Sequence, residues 1–374
     1  MLRNRIVMVA ALIVAVATGV SAQTVRRLPC GYWCQEFGPV PTWTRLIPTA
    51  PVQPITFEIP KRIGAVVAFN DMPVYYPPGY RIGISLATET NATAAKIAAA
   101  NGIRAMKFWP RVSALGADMS WVYRASDLDV IVVRPLQDAI SDEYNDCSTG
   151  VVVWEAADYG LIAENLLRRF GDVEKTIILT GWESDHQACG VACTPETHPW
   201  YPGELAPYGD YVLRMLNERQ LGIEAARAMY PDAMLQVLHA VEISSIDDNW
   251  NVARDVIPEM THEPDLISVT YWHWGDYSIT EMLDYVQAYS GLPRSRFLLG
   301  EIGGPEPTQY NRISGGVSEA FEWGVSLAFV WHWKQAWPGD NYGVWKKNES
   351  GGFTGEPTAG LAAIHYLIDC YEEN

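Results

Sequence analysis

Short apolar runs alternating with helical patterns from Tyr80 onward predict an α/β protein built as a (β/α)8 TIM barrel with an N-terminal extension. Two further observations point the same way. Several of the runs are continuously apolar, as strands buried on both faces are. The chain has 374 residues, room for one barrel of roughly 250 residues plus insertions. An open doubly wound sheet is the alternative architecture. It would usually carry a glycine-rich phosphate turn after its first strand, and Arg81–Ala87 has none.

Residues 1–22 read as a secretory signal peptide. Arg3 and Arg5 precede the apolar run Ile6–Val16, and Val20-Ser21-Ala22 supplies small residues before a cut site. The run is too short for a comfortable membrane span, and no later stretch reaches about 18 uninterrupted apolar residues. The expectation is a secreted or periplasmic protein, off the membrane once the leader is removed, and a monomer. Residues 23–78 are rich in proline and turn residues, with one apolar stretch at Ile63–Phe69. They are expected to form an extension packed on the barrel, which then spans 79–374.

Eight strands follow in order. Arg81–Ala87 precedes the alanine-rich helix Ala92–Ala100, which Asn101-Gly102 ends as a glycine past a C-cap does. Ile103–Trp109 and Leu128–Arg134 are the second and third strands, and helix Tyr159–Phe170 leads to the fourth, Thr176–Thr180. A cysteine-bearing loop and a long helix, Tyr208–Met229, come next, and Pro231 closes that helix. Strand Met234–His239, helix Val252–Met260, strand Leu266–Trp272 and helix Ile279–Ser290 continue the alternation. Strands Arg296–Gly300 and Ser326–Trp331, separated by a helix around Ser318–Trp323, complete the set before a closing helix, Thr358–Cys370.

Composition excludes some functions. The net charge is −17, and no basic stripe is present to neutralise phosphates, so nucleic acid is not an expected partner. The six cysteines (30, 34, 147, 189, 193 and 370) in an exported chain point to disulfides. Close spacing favours Cys30–Cys34 and Cys189–Cys193 as loop clips, leaving Cys147–Cys370; zinc is the rival reading, without C-x-x-C spacing to support it. No H-x-H pair or H-E-x-x-H is present, so neither a metal nor another cofactor is expected. The lack of a G-x-S-x-G elbow counts against an ester hydrolase.

Barrel active sites lie at the C-terminal ends of the strands. Two carboxylates fall there, each beside glycine. Glu183 stands in Gly181-Trp182-Glu183-Ser184 after the fourth strand, and Glu301 in Leu299-Gly300-Glu301-Ile302 after the seventh. Such a pair is the minimum equipment for glycoside hydrolysis: one group protonates the leaving oxygen, and the other attacks the anomeric carbon or activates water.

On these residues the chain resembles the retaining glycoside hydrolases of clan A, over roughly 80–370. Leu299-Gly300-Glu301-Ile302-Gly303 looks like the clan's nucleophile motif, and Phe329-Val330-Trp331-His332-Trp333-Lys334 resembles its eighth strand. Tyr342-Gly343-Val344 and Gly355–Leu361 are similar to its closing loop and last helix. The resemblance implies Glu183 as acid/base, Glu301 as nucleophile and a carbohydrate substrate. It departs from the clan at Trp182, where many members carry an asparagine that binds the sugar's 2-hydroxyl. A carbohydrate-binding pseudoenzyme and an inverting barrel glycosidase are the other readings of the same barrel.

Further substrate-binding candidates lie at strand ends. Tyr271 ends the sixth strand, where the clan often has a residue touching the nucleophile, and His239 ends the fifth. Trp109 and Arg111 follow the second, Arg134 ends the third, Trp331 ends the eighth and Trp333 stands two residues beyond it. Glu89, Asp185 and Trp182 complete the set.

Overall fold

The computed structural model describes residues 60–67, 91–110, 115, 119–135, 159–181, 184–185, 206–246, 251–272, 277–305, 307–333, 342–347 and 353–371. Eight parallel strands form a closed barrel in sequential order. They are β1 (Arg62–Val67), β2 (Ala105–Phe108), β3 (Val130–Val133), β4 (Thr176–Thr180), β5 (Gln236–Ile243), β6 (Leu266–Tyr271), β7 (Phe297–Ile302) and β8 (Leu327–Val330). The described helices are α1 (Asn91–Ala100), α2 (Ser120–Ala125), α3 (Tyr159–Phe170), α4 (Ala206–Met229), α5 (Val252–Asp255), α6 (Ile279–Ser290), α7 (Gln309–Trp323) and α8 (Ala359–Tyr371). A two-stranded antiparallel ribbon, β9 (Trp345–Lys347) and β10 (Phe353–Pro357), precedes the last helix.

The first strand corrects the sequence reading. The run assigned to the extension, Ile63 onward, is β1, and the barrel therefore begins at Arg62 rather than after residue 79. It pairs with β2 on one side and closes against β8 on the other, Arg62 opposite Leu327 through Ala65 opposite Val330. Its residues from Ile63 to Val67 are all buried. Gly64 allows the close fit, because a Cβ there would lie 2.2 Å from the Ala105 carbonyl oxygen. The expected first strand, Arg81–Ala87, lies outside the described residues.

Side chains alternate across each strand, as the pleat requires. Val66, Val132, Ile178, Leu238 and Phe329 fill the barrel interior. Val67, Val133, Leu179, Val237 and Val330 point outward into the larger layer between sheet and helices. Two interruptions matter for the site. Strand β5 runs on past His239 to Ile243, which carries Glu242 onto the same inner row as Leu238 and Ala240. Between β6 and β7 the register shifts: Val269 pairs with Leu299, but Thr270 pairs with Glu301, leaving Gly300 as the extra residue. Such a bulge re-aims a side chain. Here it keeps Gly300 inside, where a Cβ would sit 2.0 Å from Ser268 Oγ, and sets Glu301 opposite Thr270.

Local signals account for the outer layer. Helix α6 starts on a capping box, Ser278 with Glu281, and ends at Gly291 with φ of 69°. Gly160 of α3 and Gly222 of α4 let those helices touch, since a Cβ on Gly160 would be 2.9 Å from the Gly222 Cα. That contact seats both helices behind β4 and β5.

Candidate active site

At the mouth of the barrel, β2, β5 and β7 bring one ammonium and two carboxylates together. Lys107 Nζ lies 2.7 Å from Glu242 Oε2 and 3.0 Å from Glu301 Oε1, and 3.4 Å from the Gly300 carbonyl. The three side chains are essentially inaccessible to water: 0% exposed for Lys107 and Glu242, 3% for Glu301. Glu242 also accepts from Ser268 Oγ at 3.1 Å and Thr270 Oγ1 at 3.3 Å. The Thr180 hydroxyl lies 3.4 Å away and also reaches the Gly181 carbonyl. Burial works against the lysine's charge, but the fields and hydrogen bonds of Glu242 and Glu301 outweigh it and hold its pKa above the ordinary value. Lys107 is therefore an ammonium at neutral pH, a fixed positive charge between the two carboxyl groups.

Aromatic rings wall the mouth. Trp109, the residue after β2, lies with its ring 5.3 Å from that of Trp331, which follows β8. Trp331 meets Trp272 edge-on at 5.8 Å, and Trp272 meets Tyr342 at 6.0 Å. Arg134 covers the Trp109 ring, its guanidinium carbon 4.1 Å from the centroid. The Trp331–His332 peptide is cis. Trp272, Trp331 and Tyr342 keep part of their surface exposed. Flat apolar faces beside a charged floor are what a sugar ring, apolar on its C–H face and polar at its rim, can stack against.

The structure brings Glu301, Trp109, Trp331 and Arg134 to this mouth and places four other candidates elsewhere. His239 points outward from β5 into the layer under α3 and α4. Its Nδ1 is 3.0 Å from Gln220 Oε1, and its ring meets Tyr159 edge-on. Burial first, then Arg219 and Arg227, press its pKa down to about 3. Tyr271 points outward too, its hydroxyl donating to the Tyr277 carbonyl at 3.0 Å instead of reaching Glu301. Trp333 is 1% exposed and packs edge-on against Trp345 in the outer core. Asp185 accepts from the backbone N–H groups of Ser244, Ser245 and Val252, pinning the segment after β5 and the start of α5. Glu183, Trp182, Arg111 and Glu89 lie outside the described residues, as do all the cysteines but Cys370.

Two site residues escaped the sequence reading. Lys107 sits mid-strand between Met106 and Phe108, and a lysine inside so apolar a run is a signal in itself. Glu242 was lost because the fifth strand was expected to end at His239; counting on by twos from Leu238 finds it. Among the described residues, no group of three or more His, Cys, Asp or Glu is arranged to hold a metal ion.

No family model matches the chain, and no curated protein matches it. Solved structures are similar to it in fold. A family 1 β-glucosidase from Thermotoga maritima in complex with isofagomine lactam superposes with a TM-score of 0.48 and 11% identity, covering 74% of this chain and 85% of that one. The hyperthermophilic β-glucosidase from Pyrococcus furiosus gives 0.49 and 10%, covering 75% and 83%. The AHE enzyme from Alicyclobacillus herbarius gives 0.46 and 11%, covering 76% and 86%.

Proposed function

We propose that this protein is a glycoside hydrolase that cleaves an oligosaccharide or polysaccharide with retention, Glu301 acting as nucleophile and Glu183 as acid/base. The observation that carries the reading is Glu301 itself. A carboxylate ends β7 on the inner side of the barrel, is held by a buried ammonium, and stands at a mouth walled by Trp109, Trp272 and Trp331. A group so placed has the chemistry of a nucleophile that must stay ionised, not of an acid that must stay protonated. The acid is assigned to Glu183 from its place in the sequence, just after the strand that ends at Thr180.

In the first step Glu301 attacks the anomeric carbon while the glycosidic C–O bond breaks and Glu183 gives its proton to the leaving oxygen. The product is a glycosyl ester of Glu301. Glu183, now a carboxylate, takes a proton from water, whose oxygen attacks the same carbon and releases Glu301. The leader-like segment supports a secreted or periplasmic protein that acts outside the cytoplasm. The cysteine spacing supports disulfides, and the proposed working unit is a monomer.

The test is a broad panel of polysaccharides and oligosaccharides, with product stereochemistry followed by NMR and with Glu183→Gln and Glu301→Gln beside the wild type. Retention, with both variants folded and nearly inactive, supports the reading. Inversion, or near-normal turnover by either variant, overturns the assignment.

A further inference from the structure

Glu242 has no role in the two steps above, yet it is more fully enclosed than Glu301, at 0% against 3% exposed. Donors from β2 and β6 converge on it: Lys107 Nζ, Ser268 Oγ and Thr270 Oγ1. A carboxylate that accepts from an ammonium and two hydroxyls at once is held in one place. It stands nearer to the lysine than Glu301 does, 2.7 Å against 3.0 Å. Resting on the reading of Glu301 as nucleophile, we propose that Glu242 is a positioning residue: it anchors Lys107 beneath Glu301 and so sets the orientation and proton affinity of the nucleophile without touching substrate.

The physical reason is charge sharing. The cluster holds two carboxylates and one ammonium with almost no access to water. A lysine devoted to Glu301 alone would bind its electron pairs firmly and lower its basicity. Divided with Glu242, the same lysine keeps Glu301 ionised and leaves it the better nucleophile. When Glu301 becomes a neutral ester, Glu242 remains as counter-charge, so the buried ammonium is never left alone, a state that would be costly. The charged groups that act on Lys107 are Glu242 and Glu301. The neighbours that β6 turns toward Glu242 are uncharged hydroxyls, and Arg134 on the same mouth stacks on Trp109.

The experiment reads the protonation of Glu301 directly, by 13C NMR of full-length protein labelled at the glutamate carboxyls, with Glu301→Gln identifying the resonance. Four proteins are titrated: wild type, Glu242→Gln, Lys107→Gln and the double variant Lys107→Met/Glu242→Met. The Glu301 midpoint is expected to fall by about one pH unit or more in Glu242→Gln, where the ammonium serves it alone. It should rise in the double variant, which removes the ammonium, and rise furthest in Lys107→Gln, where an unpaired Glu242 repels it. Either comparison suffices if one protein fails to fold. An unchanged or raised midpoint in Glu242→Gln, or equal midpoints in Lys107→Gln and the double variant, overturns the proposal. The acidic limb of kcat/KM should follow the same order. If the midpoints keep this order while Glu301→Gln retains turnover, the coupling of Glu242 to Glu301 is supported and the nucleophile assignment falls.

Discussion

Lys107 and Glu301 meet across the barrel, one from β2 and one from β7, with 3.0 Å between Nζ and Oε1 and neither more than 3% exposed. A buried ion pair is not in itself a source of stability, because desolvation offsets most of the attraction. What it does supply is a fixed charge at a fixed place, and removing one member exposes the cost of the other.

Replacing Lys107 by methionine should therefore destabilise the fold by about 3–5 kcal/mol at neutral pH, since two buried carboxylates lose their cation. Those carboxyls would then hold protons more tightly in the folded state than in the unfolded one. The deficit should shrink as the pH falls toward about 4, where the unfolded chain's glutamates protonate as well. In the wild type the raised Lys107 pKa works at the other end of the scale. Its stabilisation is present at all pH values below about 10.4 and is lost only as pH rises through the higher folded value. Urea unfolding at pH 5 and 7 checks the first point: equal deficits at both would contradict it.

Gly300 tests the bulge. A Cβ at that position would lie 2.0 Å from Ser268 Oγ and 3.1 Å from Glu242 Oε2. Gly300→Ala is expected to cost about 1–3 kcal/mol as the strands move apart, and turnover should fall with it because Glu301 is the next residue. Full stability in a thermal melt would show that the extra residue is not where the register shift puts it.

His239 should matter for stability in acid and little for turnover. The folded protein keeps its ring neutral down to about pH 3. The unfolded chain binds a proton near pH 6.5, so stability is complete above that value and drains away as the pH drops below it, at up to ~1.4 kcal/mol per pH unit. A His239→Leu variant should show a flatter dependence over that window, with kcat/KM within a few-fold of wild type. A hundredfold loss of kcat/KM would return His239 to the substrate site.

Trp331 touches Trp109 and Trp272, and it is only partly buried. Trp331→Ala should leave the fold intact and lower kcat/KM at least about tenfold, equivalent to roughly 1.4 kcal/mol of lost stacking. Unaltered kinetics on every sugar tested would remove the ring from the substrate path.

Much of the barrel was legible because buried parallel strands write themselves as apolar runs, and seven of the eight expected runs overlap observed strands. The first did not, for a physical reason. Arg62–Val67 sits among prolines that read as an irregular extension, and only its pairing with β2 and β8 identifies it. Glu301 was legible from position, since glycine followed by a carboxylate ended an apolar strand. Lys107 and Glu242 lie 135 residues apart in sequence, and their partnership depends on which way each strand faces. The outward facing of Tyr271, His239 and Trp333 was hidden for the same cause: a strand-end aromatic or histidine can point inward or outward, and one residue of register decides between them.

In the proposed reaction Glu301 becomes covalently glycosylated. The most direct measurement of this is peptide mass mapping after incubation with slow-turnover 2-fluoro glycosides of the sugars the wild type hydrolyses. One added glycosyl group per chain is expected, carried on Glu301 and absent from Glu301→Gln. A label on any other carboxylate, or hydrolysis with net retention by Glu301→Gln itself, would contradict it.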